Sequence, residues 1–139
     1  MLAAAPASHV DALPRIRATL GPAGCIDAPE QTARFLTDFR GLYRGATPFV
    51  ACPATTTEVA QVLALCNAAR IAVVPQGGNT SYCGGATPSA RGDQLVLSLH
   101  RLNRIREVDA ANFSLIAEAG CVLMDVQATA RSVDRLFPL

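Results

Sequence analysis

The stretch Ile71-Ala72-Val73-Val74-Pro75-Gln76-Gly77-Gly78-Asn79-Thr80-Ser81-Tyr82-Cys83-Gly84-Gly85 joins a short apolar run to a polar loop bracketed by two glycine pairs. Ile71 to Val74 is rich in β-branched residues and reads as a buried strand. The loop that follows carries the amide of Asn79 and the hydroxyls of Thr80 and Ser81 between its glycines. Glycine tolerates positive φ and lets another molecule lie against bare backbone. Such a loop presents several N–H donors to one anion, which suits a phosphate or pyrophosphate. Glycine pairs alone fit a plain surface turn equally well. Placement straight after a buried strand, with little charge of its own, favours a ligand loop. It lacks the Lys-Ser/Thr ending of a P-loop and the G-x-G-x-x-G of a Rossmann turn.

Upstream, Phe49-Val50-Ala51-Cys52 reads as a first buried strand closed by Pro53. Thr55-x-x-Glu58 is a capping box heading a helix over Thr56 to Arg70, with Val59, Val62, Leu63, Cys66 and Ala69 on one buried face. Strand, helix and strand form a βαβ unit, whose crossover is right-handed in nearly all cases. The glycine loop then sits at the carboxyl end of the second strand, where ligands of α/β sheets gather. Further upstream, Val10 to Leu20 has helical spacing and Gly21-Pro22 stops it. Pro14 requires that helix to start close before it, with Asp11 as N-cap. Asp27-x-x-Glu30 predicts a second capped helix to Leu36. The connector Asp38 to Gly45 holds Arg40 and Arg44, read as solvated or ion-paired rather than anion-facing. Downstream come a strand over Leu95 to Leu99 and a hairpin of Ile105 to Asp109 with Phe113 to Ala119, turning at Ala110-Ala111. A last helix carries Val122, Val126, Ala130, Val133 and Phe137 on one face. The chain stops at Phe137-Pro138-Leu139 as that helix runs out, which predicts a fragment of a longer protein.

At 139 residues the chain is about one domain, and half of it is apolar, enough for a core. Its net charge of +1, without a basic stripe or interleaved aromatics, argues against nucleic acid as a partner. Cys25, Cys52, Cys66, Cys83 and Cys121 are widely spaced and form no C-x-x-C pair. They are expected to be free structural thiols in a reducing compartment, with neither a disulfide framework nor a metal site. The N-terminus, with no basic n-region or sustained apolar core, is not read as a signal peptide, and no stretch is long enough to span a membrane. A cytoplasmic location is expected. The first ten residues, His9 among them, read as a loose tail, and His9 and His100 read as surface or hydrogen-bonding residues.

Cys52-Pro53 with its Thr-Thr-Glu-Val helix start, Val74-Pro75-Gln76-Gly77-Gly78-Asn79-Thr80, Gly84-Gly85 and Ala117-Glu118-Ala119-Gly120 occur in that order. Together they resemble the N-terminal part of the FAD-linked oxidase family, whose FAD-binding fold is that of vanillyl-alcohol oxidase and p-cresol methylhydroxylase. The wording of the glycine loop is closest to the D-2-hydroxyglutarate and D-lactate dehydrogenase branch. The resemblance runs from about residue 13 to residue 139. It implies an α+β fold: a βαβ unit with flanking helices and a hairpin, the first half of a two-subdomain FAD-binding domain. Residues 1–45 would be a tail and helices, and residues 46–139 the first part of that domain.

The resemblance further implies that Pro75, Gln76, Gly77, Gly78, Asn79, Thr80 and Ser81 wrap the FAD pyrophosphate, chiefly through backbone N–H groups. Gly84 and Gly85 would let the cofactor approach. Any side chain at Gly77 or Gly78 is expected to occupy cofactor space or to exclude the required backbone angles. Ser81 stands where many relatives have Gly. Relatives that bind flavin covalently through this loop place His at the position of Asn79, so the flavin here is expected to be non-covalent. The implied whole protein oxidises a small D-2-hydroxy acid, of the D-2-hydroxyglutarate or D-lactate type, by hydride transfer to FAD, and can pair as a homodimer. Its catalytic base and metal ligands would lie beyond this chain, so no residue here is catalytic or metal-binding. A stand-alone nucleotide- or phosphate-binding module, or an inactive truncated remnant, are the alternatives.

Overall fold

A computed structural model describes residues 9–139. Helix α1 (His9–Leu20) and a 3₁₀ turn over Pro22–Gly24 lead into β1 (Cys25–Ile26), α2 (Pro29–Leu36), β2 (Val50–Ala51) and α3 (Thr56–Ala68). Then come β3 (Ala72–Gln76), β4 (Gln94–Ser98), the hairpin β5 (Ile105–Asp109) and β6 (Ser114–Ala117), and α4 (Leu123–Ser132). The α+β arrangement implied by the sequence is the one formed. Of the expected tail, residues 1–8 lie outside the described residues, and His9 opens α1 instead of belonging to a tail.

The main sheet has the order β1-β2-β4-β3. β2, β4 and β3 are parallel, and β1 adds antiparallel at the edge. β4 therefore slots between the two strands of the βαβ unit, so that Val96 pairs with both Val50 and Val74. Side chains alternate along it. Leu95 and Leu97 enter a core with Ala12, Ile16 and Leu20 of α1 and Val62 and Cys66 of α3. Val96 faces the other way, onto Phe35 of α2, Val50 and Cys52. A strand covered on both faces reads as an unbroken apolar run, as Leu95-Val96-Leu97 does.

Several local expectations change. Pro14 lies well inside α1 with its ring exposed, so the helix starts two residues before Asp11. Asp27 does not cap α2; the cap position is Ala28 with no side-chain bond, and Pro29 supplies the preset φ of a first turn. Asp27 pairs with Arg17 instead, at 2.8 Å. The Thr55 capping box does form, with Glu58 N–H donating to Thr55 Oγ1 at 3.1 Å. Its return bond goes one residue further back than expected, from Ala54 N–H to the Glu58 carboxylate at 2.6 Å. On α3, Leu63 is exposed and Leu65 packs onto the core in its place. α4 ends at Ser132, before Val133 and Phe137. β6 is shorter than predicted at both ends: Phe113 adopts φ 55° in the turn, and the strand stops at Ala117.

Glu118 fastens the hairpin. Its carboxylate is 2% exposed and accepts from Arg104 N–H (3.0 Å), from the Arg104 guanidinium (3.2 Å) and from Nε and Nη2 of Arg106 (3.1 and 3.0 Å). The backbone bond comes first among the causes that hold its pKa down to about 2, ahead of the guanidinium contacts and against burial. Arg106 also donates to Thr56 Oγ1 at the head of α3. All five cysteines are free thiols.

Candidate cofactor site

β3 and β4 are in register at Gln76 and Ser98, so their carboxyl ends lie side by side. The strand continues through Pro75 and Gln76, and the loop proper begins at Gly77. The last turn of α2 covers these strand ends. Between them lies a cleft of about 310 Å³ lined by Arg34, Phe35, Gln76, Gly77, Gly78, Asn79, Ser98 and His100.

A helix leaves its last carbonyls without internal partners. α2 has no glycine at its end to turn back on, and the glycine loop satisfies those carbonyls from a distance. Gln76 Nε2, on a side chain 1% exposed, donates to Phe35 O at 2.9 Å and to Ala86 O at 2.7 Å. Asn79 Nδ2 donates to Arg34 O at 3.1 Å and Thr37 O at 2.8 Å. Gly45 N–H donates to Leu36 O at 2.8 Å. Loop and helix end thus hold one another. Asn79 reaches these partners from φ 54°, a left-handed conformation that Asn accepts better than most residues.

Gly77 and Gly78 do not have positive φ, so of the two expected reasons for glycine there the backbone-angle one does not hold. No atom lies within 4 Å of a Cβ placed on Gly77, and only Thr80 Cγ2, at 3.8 Å, near one on Gly78. Neither backbone strain nor internal packing requires glycine there, so the space beside them faces outward. Gly84 differs: at φ 69°, its missing side chain makes room for the Tyr43 ring, whose atoms lie 2.7–3.0 Å from the Cβ position. Tyr43 is placed by Asp38, a buried carboxylate accepting from Tyr43 N–H at 2.6 Å and Arg40 N–H at 3.1 Å. Those backbone donors, Tyr43 foremost, hold the Asp38 carboxyl below its ordinary range. Gly85 is open, Thr80 is exposed, and Ser81 Oγ accepts from Cys83 N–H at 3.3 Å. Arg40 is exposed, its guanidinium 5.9 Å from the Tyr82 ring.

The backbone N–H groups of Gly77 through Tyr82 have no hydrogen-bond partner among the described residues. Unpaired N–H groups beside bare glycine, at the carboxyl end of a parallel sheet, are the donors from which anion sites are built, and Gly77, Gly78 and Asn79 are the ones that line the cleft. Sequence reasoning missed Arg34, Phe35, Ser98 and His100. A polar Ser98 ending an apolar strand is a readable signal, but nothing local marks Arg34. Ser98 Oγ lies 2.9 Å from Nδ1 of His100. Partial burial, then the charges of Arg34 and Arg101, lower the His100 pKa. Burial raises the Cys52 and Cys66 thiols to about 11, which leaves both neutral at physiological pH.

A model of the family described as FAD binding domain matches residues 47–139. The chain is 37% identical over 112 residues to a D-2-hydroxyglutarate–pyruvate transhydrogenase of Saccharomyces cerevisiae, covering 81% of this chain and 22% of that protein. It is 34% identical over 123 residues to a probable mitochondrial D-2-hydroxyglutarate dehydrogenase of Oryza sativa subsp. indica, covering 88% of this chain and 22% of that protein. The chain thus spans about a fifth of the length of these curated relatives. Among solved structures, p-cresol methylhydroxylase with substrate bound superposes with a TM-score of 0.73 at 23% identity, over 87% of this chain and 24% of that one. The expected cytoplasmic location is overturned, because the relatives from rice and Arabidopsis thaliana are named as mitochondrial enzymes. Cysteines without disulfides fit either interior and do not distinguish cytosol from mitochondrial interior. The match from Thr47 to the last residue, over a sheet whose strand ends carry the open glycine loop, places this chain in the FAD binding domain family.

Proposed function

We propose that this chain is the part of a flavin-dependent oxidoreductase that holds the FAD pyrophosphate. The full-length protein oxidises a D-2-hydroxy acid of the D-2-hydroxyglutarate or D-lactate type. The observation that carries this reading is the run of unpartnered N–H groups from Gly77 to Tyr82 beside glycines with open space around them. Pro75, Gln76, Gly77, Gly78, Asn79, Thr80, Ser81, Gly84 and Gly85 form the cofactor loop. Backbone from Gly77 onward meets the anion, while Gln76 and Asn79 act by fastening the loop to α2. When bound, the flavin supplies the hydride acceptor for the substrate α-carbon, and the protein holds and orients it.

Asn79 has no nucleophile to offer the flavin ring system, and the cofactor is held non-covalently at this loop. Residues 1–45 lead into the first part of the domain, residues 46–139, with the catalytic base supplied from beyond them. A homodimeric full-length enzyme belongs to the same reading and is checked by its mass in solution. The decisive experiment uses purified full-length protein under anaerobic conditions. Its flavin absorbance should bleach on addition of D-2-hydroxyglutarate or D-lactate and persist with the L enantiomers. Acid precipitation should release all the flavin, and Gly77→Val should abolish its retention. Protein without flavin, or flavin indifferent to both D acids, would end this reading.

A further inference from the structure

We propose that Arg34 and His100 form a second, cationic wall of the same cleft and contact the cofactor's diphosphate, with Ser98 orienting the imidazole. This rests on the cofactor reading above and names residues that the glycine motif does not contain. Arg34 projects from the last turn of α2 and His100 follows the end of β4, and both line the cleft together with Gly77, Gly78 and Asn79.

Arg34 is the one arginine among the described residues that lines the cleft, and six of the others are committed elsewhere. Arg17, Arg91, Arg104 and Arg106 are ion-paired. Arg101 donates to Cys52 O and Ala23 O, and Arg135 to Ala110 O. The Arg34 guanidinium makes no ion pair or hydrogen bond among the described residues, and lies over the Phe35 ring at 4.7 Å. Stacking leaves its edge donors available, and a guanidinium fork matches the paired oxygens of a phosphate.

His100 is similarly poised. Its Nδ1 is engaged with the Ser98 hydroxyl, whose residue is fully buried, while Nε2 has no partner among the described residues. The charges acting on the ring are Arg34 from α2 and Arg101 from its own segment, both cationic. A ring disfavoured from protonation by partial burial and then by these cations gains a proton more readily once a dianionic group enters. Protonated His100 donates from Nδ1 to Ser98 Oγ and from Nε2 to a phosphate oxygen, so that cofactor binding takes up a proton. The ligand class is a nucleotide diphosphate, and a flavin without phosphate would not sense this wall.

Full-length protein is titrated with FAD and with riboflavin, by flavin fluorescence, at several values between pH 5.5 and pH 8. Arg34→Gln should weaken FAD on the order of tenfold to a hundredfold, the worth of one charge-assisted hydrogen bond, while riboflavin affinity stays unchanged. Arg34→Lys should recover part of the loss. Wild-type affinity for FAD should tighten as the pH falls, and His100→Gln should remove that dependence. Equal losses of FAD and riboflavin affinity would mean local damage and refute the assignment. So would variants that bind FAD as tightly as wild type. A wild type that binds neither flavin refutes the cofactor reading itself, and this inference with it.

Discussion

Replacing Gln76 by Met tests the bond between the glycine loop and α2. The Gln76 amide, on a residue 1% exposed, supplies both donors that satisfy Phe35 O and Ala86 O. Methionine matches its length and nearly its volume, so no cavity opens and the change isolates the hydrogen bonds. Each buried carbonyl left without a partner costs about 1–3 kcal/mol, and the thioether regains roughly 1 kcal/mol of transfer energy. The net loss should be about 3 kcal/mol, on the order of a hundredfold in the folding equilibrium. Gln76→Glu should be worse at neutral pH, because a buried carboxylate would face two carbonyl oxygens. Its folded pKa would be raised above the unfolded value, so the Glu variant should gain stability as the pH falls below that raised value. Equilibrium urea denaturation of full-length protein, followed by circular dichroism, reads both variants. A Met variant within about 0.5 kcal/mol of wild type, or a Glu variant without pH dependence, would refute the claim that this amide holds the helix end.

Glu118 should make stability acid-sensitive. Its pKa is lowered from the ordinary 4.5 to about 2, so its contribution is fully present above about pH 4.5 and is lost as the pH falls toward 2. Glu118→Gln should flatten the stability–pH curve in that window. Gly84→Ala should destabilise by about 1–3 kcal/mol, since it adds a left-handed alanine and a clash with Tyr43. Gly77→Ala should be near neutral for folding, yet weaken flavin binding. Both pairs of measurements come from denaturation curves and flavin titration. A maleimide probe at pH 8, read by peptide mapping, should label the exposed Cys83 quickly. It should spare Cys52 and Cys66, whose buried thiols stay protonated up to about 11, until the protein unfolds.

What was readable from the chain is what short-range physics dictates. The apolar face of α3, with Val62 and Cys66 buried, follows from spacing along a few turns. Thr55 and Glu58 cap it because capping is a matter of neighbouring residues. Gly77-Gly78 after an apolar strand marked a loop at the strand end, because glycine and turn residues are themselves local signals. The same locality misled at Asp27, where a plausible cap is taken up by an ion pair with Arg17 across the fold.

Only the tertiary structure decided the rest. Nothing in Leu95-Val96-Leu97 says that β4 enters between β2 and β3, yet that insertion brings Ser98 level with Gln76 and opens the cleft. The bonds that shape the site join Gln76 to Phe35 and Asn79 to Thr37, separations of 41 and 42 residues. Gly84 reads like Gly77 in sequence, but one is small to admit the Tyr43 ring and the other faces open space. Arg34 carries no local mark at all. Sequence alone established a glycine loop on a βαβ frame because strand, helix and turn are each written within a few residues. The partners that complete and rigidify that loop arrive from other strands and helices, and folding alone brings them together.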